Sequence, residues 1–385
     1  MKRLMLMVFS LLLSAGMAGA ADTPALADLR ADADKMLKAK PHSVMEKTRL
    51  PPSGDKHDYL SLAPYSWPDP AKPDGLPWIN RDGEVNPESR EGTDSKTLGH
   101  MCVEVETLAL AYRLTKQEPY AAKAAEILKV WFLDPATKMN PHLEYGQGVP
   151  GRNTGRSSGI IDSVRFIRVV QAIGWLDGSP AWTPERQKGM KAWFRAYLDW
   201  LLKSKIGLAE ASSANNHGCW YLAQTAAYAL FVGDQEQVRK SVELGRERIA
   251  KQIEPDGRMP LELKRTKSYS YSLYNLDALI TLGEIGTAVG IDLFAYRTED
   301  GRSLRAALDY VAPYFQADKK WPGPQIKEVK HPDEELAGLL RRAANAYGEP
   351  KYEAMIQDAK LAASRFQLIW PPAPAAPHTL HPISK

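Results

Sequence analysis

The chain has 385 residues, a formal net charge of +4, 44% hydrophobic and 25% charged residues. That is the balance of a water-soluble globular protein with enough chain for one large core or two small ones. So small a net charge gives nucleic-acid binding no support, and the two cysteines, Cys102 and Cys219, are too few for a disulfide scaffold or a Cys-based metal site.

Residues 1–20 read as a secretory signal peptide. Lys2 and Arg3 precede the mostly apolar run Leu4 to Leu13, and Ala18-Gly19-Ala20 is a small-x-small cleavage site. The apolar run is too short to span a bilayer, and no Cys follows the cleavage site for a lipid anchor. Removing the leader takes away two cations, so the charge falls from +4 to +2. The expected destination is the periplasm.

Ala25 to Lys38 carries helical apolar spacing. Residues 40–95 lack periodicity and are rich in Pro, Gly, Asp and aromatics. Such a stretch, containing Lys56-His57-Asp58-Tyr59-Leu60-Ser61-Leu62-Ala63-Pro64-Tyr65-Ser66-Trp67-Pro68, is expected to be a long ordered loop over one end of the fold. From Thr97 helix follows helix: 98–114, 119–132, 159–176, 184–202, 217–231, 235–253, 271–289, 303–315, 332–344 and 351–366 all have 3.6-period apolar faces. Thr183-Pro184-Glu185 and His331-Pro332-Asp333 place Pro at a first helical position. Strand alternation is scarce, and no repeat motif marks a solenoid. The expected fold is all-α: an incomplete α/α toroid of helical hairpins, with an irregular bundle the alternative that helix count leaves open, residues 21–370 forming one domain. The loops at 133–157, 204–216 and 254–270 are long and would build a cleft at one mouth. The Pro-rich tail 371–385 is expected to be extended or disordered. Both cysteines lie in apolar helical contexts and suit buried free thiols as well as a bridge.

Three constellations could carry chemistry. Asn215-Asn216-His217 opens an apolar helix, where free backbone N–H groups favour an anion; Asn215 also suits a simple N-cap. Lys264, Arg265 and Lys267 precede Tyr269, Tyr271 and Tyr274, which sets phenols among cations or else forms a solvated face. The loop 148–159 holds Arg152 and Arg156 among glycines without a nucleotide-binding pattern; its arginines could equally pair with nearby acids. No zinc-type His/Asp spacing and no Gly-x-Ser-x-Gly elbow occur. Asp58, Asp162, Glu210 and Glu262 could supply the two carboxyl groups of a glycoside hydrolase, though no spacing singles out a pair. Asn, His, Arg and Tyr together suit β-elimination on a uronic acid. An amide and cations neutralise the carboxylate beside C5, a base removes the C5 proton, and an acid protonates the departing O4. Cations beside the phenol are expected to lower its pKa.

Asn-Asn-His at a helix start, followed about fifty residues on by Glu-Leu-x-Arg and then Tyr, resembles the alginate lyase family of α/α-toroid polysaccharide lyases. So do residues 58–68, Asn80-Arg81-Asp82-Gly83-Glu84-Val85-Asn86-Pro87 and Gly159-Ile160-Ile161-Asp162. The resemblance spans roughly 55–345. It implies that Asn216 and His217 neutralise the uronate carboxylate, that Arg265 assists, and that Tyr271 is the acid and also the base of a syn elimination, with Tyr269 as fallback. No cofactor or metal is implied. Gly218-Cys219 after His217, and the six-residue step from Arg265 to Tyr271, resemble the branch that cleaves glucuronan as well as mannuronate-rich alginate. His57, Tyr59, Tyr65, Trp67, Arg152 and Arg156 are the expected sugar contacts. The expected partner is an acidic polysaccharide, with no nucleic acid and no membrane anchor. A hydrolase on the same scaffold and a non-catalytic polyuronate-binding protein are the alternatives.

Overall fold

The computed structural model describes residues 23–373; the leader and residues 374–385 of the tail lie outside the described residues. The helices, in chain order, are α1 (Pro24–Leu37), α2 (Ser95–Thr115), α3 (Glu118–Leu128), α4 (Phe166–Trp175), α5 (Pro184–Lys203), α6 (Lys205–Ala211), α7 (Asn216–Val232), α8 (Gln235–Gln252), α9 (Pro260–Leu263), α10 (Ser268–Thr287), α11 (Leu304–Val311), α12 (Glu334–Tyr347), α13 (Pro350–Met355) and α14 (Phe366–Ile369). Four short strands, β1 (Leu60–Leu62), β2 (Ser66–Trp67), β3 (Ile79–Asn80) and β4 (Tyr145–Gly148), pair as parallel β1–β4 and antiparallel β2–β3.

The helices form an incomplete two-layer α/α ring. Helices α2, α4, α7, α10 and α12 succeed one another along the inner layer, each packed on the next. Outer helices lie against them: α1 and α3 on α2, α5 and α8 on α7, α11 on α10, α13 on α12. The inner helices α2, α7 and α10 are apolar nearly all round, as burial on both faces requires, whereas α4 and α12 are amphipathic; α7 buries Cys219, Trp220, Tyr221, Leu222, Ala223, Ala226 and Tyr228 among others. The aromatics serve this core first. Phe132, Phe166, Trp193, Phe194, Tyr197 and Tyr228 pack edge-to-face and tilted at centroid distances of 4.7–6.1 Å. Both cysteines are free and buried. Arg365 closes the seam by donating to Asp32 of α1 (2.7 Å) and to Thr107 of α2.

Some boundaries differ from the sequence pattern. The stretch 159–176 is broken, a 3₁₀ turn at Ser157–Ser163 preceding α4. Residues 351–366 contain α13 and a 3₁₀ turn rather than one helix. Pro332 stands before the helix, because Asp333 is the N-cap, accepting from the Glu335 and Leu336 amides. Thr183 does cap α5 with Pro184 at its first position. Two long loops hide short helices, α6 and α9.

The aperiodic stretch 40–95 is ordered and anchored to the ring by a buried ion pair. Lys47 Nζ lies 3.1 Å from Asp94 Oδ2 with both side chains fully buried, and it also donates to the carbonyls of Val44 and Lys56. Asp94 precedes α2 and accepts from the Leu60 amide (2.8 Å). The pair thus fixes where β1, and the loop beyond it, lie over the mouth. Removing one partner of a buried pair leaves the other charge uncompensated. Lys47→Met is therefore expected to cost about 3 kcal/mol or more, read as a lower urea midpoint with an unchanged slope. A loss below about 1 kcal/mol would mean that other contacts hold this loop.

Candidate functional site

The first amides of α7 and α10 are already satisfied: the Asn216 N–H donates to Glu262, that of His217 to Asn215 Oδ1, that of Ser268 to the Pro324 carbonyl and that of Tyr269 to Gln325. Asn216 is the first residue of α7 and Asn215 its N-cap, the Asn215 side chain accepting from the His217 amide. Asn216 is buried. Its backbone N–H and Nδ2 donate to the two oxygens of Glu262 at 2.8 and 2.7 Å. Glu262 lies on α9, only 1% exposed. Burial raises its pKa, while the Asn216 hydrogen bonds and the charges of Arg265 and His217 pull it back. His217 lies with Nδ1 2.6 Å from Glu210 Oε1, at the end of α6. Consecutive residues are thus each held from behind by a buried carboxylate.

Three residues beyond Glu262, Arg265 meets Asp82 of the covering loop. Its Nε lies 3.2 Å from both carboxylate oxygens, its Nη2 2.5 Å from Oδ1, and Asp82 also accepts from the Thr266 amide. Arg265 hydrogen bonds, with smaller help from Thr266, outweigh burial and hold Asp82 at about 2. Burial works against the Arg265 charge, but Asp82, together with Tyr271 and Glu262, more than restores it. The guanidinium stacks on the Tyr271 ring, 3.7 Å from its centroid. Tyr271 donates from its hydroxyl to Tyr65 Oη at 3.0 Å, and Lys267 Nζ sits 5.4 Å from the Tyr65 ring centroid.

The Tyr271 phenol runs against the expectation that cations lower its pKa. Burial, followed by the Tyr65 hydrogen bond, raises it far above the ordinary value, and Arg265 offsets only part of that. Tyr271 is a neutral phenol at rest. A half-buried ring loses more from desolvating its anion than one stacked cation returns.

The remaining expected residues divide. Arg156 is half-buried, donates to Gln147 Oε1 at 3.0 Å and feels the Glu210 charge; burial lowers its pKa. Arg152 is exposed in the turn after Val149. Trp67 is half-buried, donates to the Glu84 carbonyl and carries Arg81 on its face. His57 is held through Nδ1 on the Lys138 carbonyl at 2.6 Å. Two assignments are corrected. Tyr59 is fully buried, its hydroxyl donating to Asp162 at 3.0 Å, so it holds the scaffold and presents no surface to a sugar. Tyr269 is 3% exposed with its ring against Trp321, which removes it as a substitute acid.

The glycines of the loop 148–159 serve close packing of the backbone. A Cβ at Gly155 would stand 1.9 Å from the Glu144 carbonyl oxygen and one at Gly159 2.3 Å from that of Gly146; these glycines permit close backbone crossing. Gln147, in the left-handed region at φ 50, joins Arg156 to Asp162, whose carboxylate also accepts from Ser61 and Tyr59. Sequence reasoning did not foresee the Asp82–Arg265 pair or the partners of the two glutamates. Asp82 had no local signal, being 183 residues away. The four carboxylates considered for hydrolysis are all engaged: Asp58 accepts from Ser53 and Asn140, Asp162, Glu210 and Glu262 as above. Among the described residues no group of three or more His, Cys, Asp or Glu could hold a metal ion.

Asp82 sets a pH-dependent stability contribution. Its folded pKa lies below the unfolded one, so the contribution is complete above about pH 4 and is lost as pH falls through about 2. Screened by solvent at this partly exposed pair, a shift of that size corresponds to at most about 2 kcal/mol. Asp82→Asn should be less stable than wild type by that order at neutral pH in urea titrations, the gap closing between about pH 4 and pH 2. A gap independent of pH would separate the pair from this titration.

Comparison with known proteins addresses the family and the fold. The alginate lyase family model matches residues 43–321. A crystal structure of an alginate lyase from Bacteroides ovatus superposes with a TM-score of 0.86 and 42% identity, over 96% of this chain and 97% of that one. Alginate lyase A1-III from Sphingomonas species A1 matches with a TM-score of 0.58 and 15% identity, over 90% of this chain and 95% of that one. A variant of alginate lyase A1-III complexed with a tetrasaccharide matches at 0.59 and 17%, over 92% and 97%; at such identities the likeness speaks for the fold. No curated protein sequence matches the chain. With its family model and a 42% identical relative each covering most of its length, the chain belongs to the alginate lyase family and is a polysaccharide lyase.

Proposed function

We propose that this lyase cleaves β-1,4-linked uronate polymers, mannuronate-rich alginate and glucuronan, by syn β-elimination that leaves a 4,5-unsaturated uronate end. The observation that carries this reading is the Tyr271 phenol stacked on the Arg265 guanidinium and bonded to Tyr65 at the mouth where Asn216 and His217 open α7. In the reaction His217 binds the carboxylate at C5, and Asn216, buried beside it with its backbone N–H and one Nδ2–H given to Glu262, adds its remaining Nδ2–H to stabilise the enolate-like charge that develops there. Tyr271 first passes its hydroxyl proton to Tyr65 Oη while Tyr65 releases its own hydroxyl proton to solvent, so Tyr65 stays neutral and one proton leaves the pair. The phenolate takes the C5 proton. As the C4–O4 bond breaks, the same proton goes from Tyr271 to O4, so the phenolate is regenerated and atoms balance. Arg265 carries the phenolate charge through the ring face. Mannuronate and glucuronate share the C4/C5 arrangement and differ at C2, so one syn mechanism serves both. Trp67, Tyr65, Arg152 and Arg156 are the surrounding groups suited to sugar hydroxyls and the neighbouring carboxylates. The leader-like N-terminus supports export to the periplasm, and no helix among the described residues is long and apolar enough to cross a membrane.

Polymannuronate or glucuronan incubated with the enzyme should gain the ultraviolet absorbance of a C4–C5 double bond; reducing ends released without it would identify a hydrolase. Tyr271→Phe should lower turnover about 10³-fold or more while leaving oligosaccharide binding within a few-fold. Turnover surviving in that variant would remove Tyr271 from the acid and base roles.

A further inference from the structure

We propose that Glu210 is a positioning residue that fixes which nitrogen of His217 faces the substrate and lets that imidazole carry both protons once a uronate is bound. The proposal rests on the elimination reading above and assigns a residue that reading does not use.

The geometry is specific. Glu210 is 1% exposed, at the end of the seven-residue α6 hidden in the loop before Asn215. A carboxylate buried there needs donors. It has His217 Nδ1 at 2.6 Å and, more weakly, Ser213 Oγ at 3.5 Å. An ionised carboxylate only accepts, so the proton of the short contact belongs to Nδ1. Nε2 is then the nitrogen left for the cleft, and the His217 side chain keeps 22% of its surface exposed. The surrounding charges leave the carboxylate this partner. Arg156 acts on Glu210 from a distance and spends Nη2 on Gln147. Arg248 of α8 is spent on the carbonyls of Ala211 and Ser213. Arg265 faces Asp82, and Glu262 is taken by Asn216.

The chemical consequence follows from the two sides of the ring. A neutral imidazole with its proton on Nδ1 presents a lone pair from Nε2, which repels a carboxylate. With Glu210 on one side and a uronate carboxylate on the other, the ring lies between two acceptors, and only a ring with a proton on each nitrogen donates to both. His217 then donates through Nε2–H to the group whose charge grows as C5 loses its proton. Glu210 therefore acts on the chemical step, through His217, without touching the sugar.

The experiment uses the full-length mature enzyme labelled with 15N-histidine, two-bond proton–nitrogen correlations reporting which ring nitrogens carry protons. In free wild type the His217 Nδ1 should be the protonated nitrogen. In Tyr271→Phe bound to mannuronate oligomers both nitrogens should be protonated, and adding Glu210→Gln, which retains an acceptor but no charge, should leave one. On polymannuronate, Glu210→Gln should lower kcat about 10- to 100-fold with KM changed by less than about threefold, and Glu210→Asp should recover part of the loss. An Nδ1 without a proton in free wild type overturns the proposal, and so does wild-type kcat in Glu210→Gln. If Glu210→Gln does not fold, the wild-type and Tyr271→Phe spectra still decide. If no uronate polymer is cleaved by wild type, the elimination reading fails, whereas the free-enzyme spectrum still tells whether Glu210 fixes the ring.

Discussion

The hydrogen-bonded pair of Glu262 and Asn216 is the contact on which the site depends. Glu262 lies on a helix of four residues, too short to hold itself in water, and Asn216 is the first residue of α7. One carboxylate takes both the backbone N–H and the side-chain amide of Asn216. This satisfies a helix-start donor that would otherwise be orphaned in a buried position. It also sets the distance between the start of α7 and the turn leading into α10. Arg265 follows Glu262 by three residues and Tyr271 follows Arg265 by six, so the register of the second half of the site against the first is fixed there. The Lys47–Asp94 pair does the same for the covering loop, and the Asp82–Arg265 pair joins the two halves.

A mouth suited to a polyanion is lined behind its surface by Asp82, Asp162, Glu210 and Glu262. The resolution lies in what each carboxylate accepts. Asp82 takes the Nε edge of Arg265 and the Thr266 amide; Asp162 takes Tyr59, Ser61 and Gln147; Glu210 takes His217; Glu262 takes Asn216. Each charge is matched by donors in the layer in front of it, and those donors lose their freedom to rotate. Side chains that bind a developing negative charge are then already oriented, which is where electrostatic stabilisation gains over water. For Arg265 the cost is that the edge best suited to fork a carboxylate already holds Asp82. Its face on Tyr271 remains, so in the proposed reaction it acts on the phenol more than on the sugar.

The ring of helices was legible because inner and outer helices both carry 3.6-period apolar faces long enough to outweigh local irregularity, as in 184–203 and 216–232. Helices α6 and α9 were not, since seven and four residues give no periodic signal and exist only through tertiary contacts. The motif at 215–217 and the Arg265/Tyr271 spacing pointed to one mouth, and the structure brings these elements together. The aromatic-rich run 57–67 could not be sorted by sequence. Tyr59 and Tyr65 look alike there, yet one faces Asp162 inside the scaffold and the other faces Tyr271. Which side of an irregular segment is buried is decided by what it crosses, here β4 and the 3₁₀ turn at 157–163, and no local period encodes that.

The neutral state of Tyr271 constrains any elimination at this mouth. A phenol kept protonated by burial is a poor base for C5–H, and its raised pKa weakens it as an acid until a cation offsets the phenolate charge. A single residue serving both steps must therefore lose its proton before the sugar loses its own. The structure offers two features for that. Tyr271 already points its proton at Tyr65, so the hydrogen-bond path outward exists before substrate arrives. The Arg265 guanidinium lies flat on the ring, where its attraction strengthens as charge develops on the phenolate and is weak while the phenol is neutral. Stabilisation that grows along the reaction coordinate is the kind that raises kcat. The covering loop supplies both Tyr65 and Asp82, so the hydrogen bond that takes the Tyr271 proton and the fixed cation on its ring face are held by the same segment.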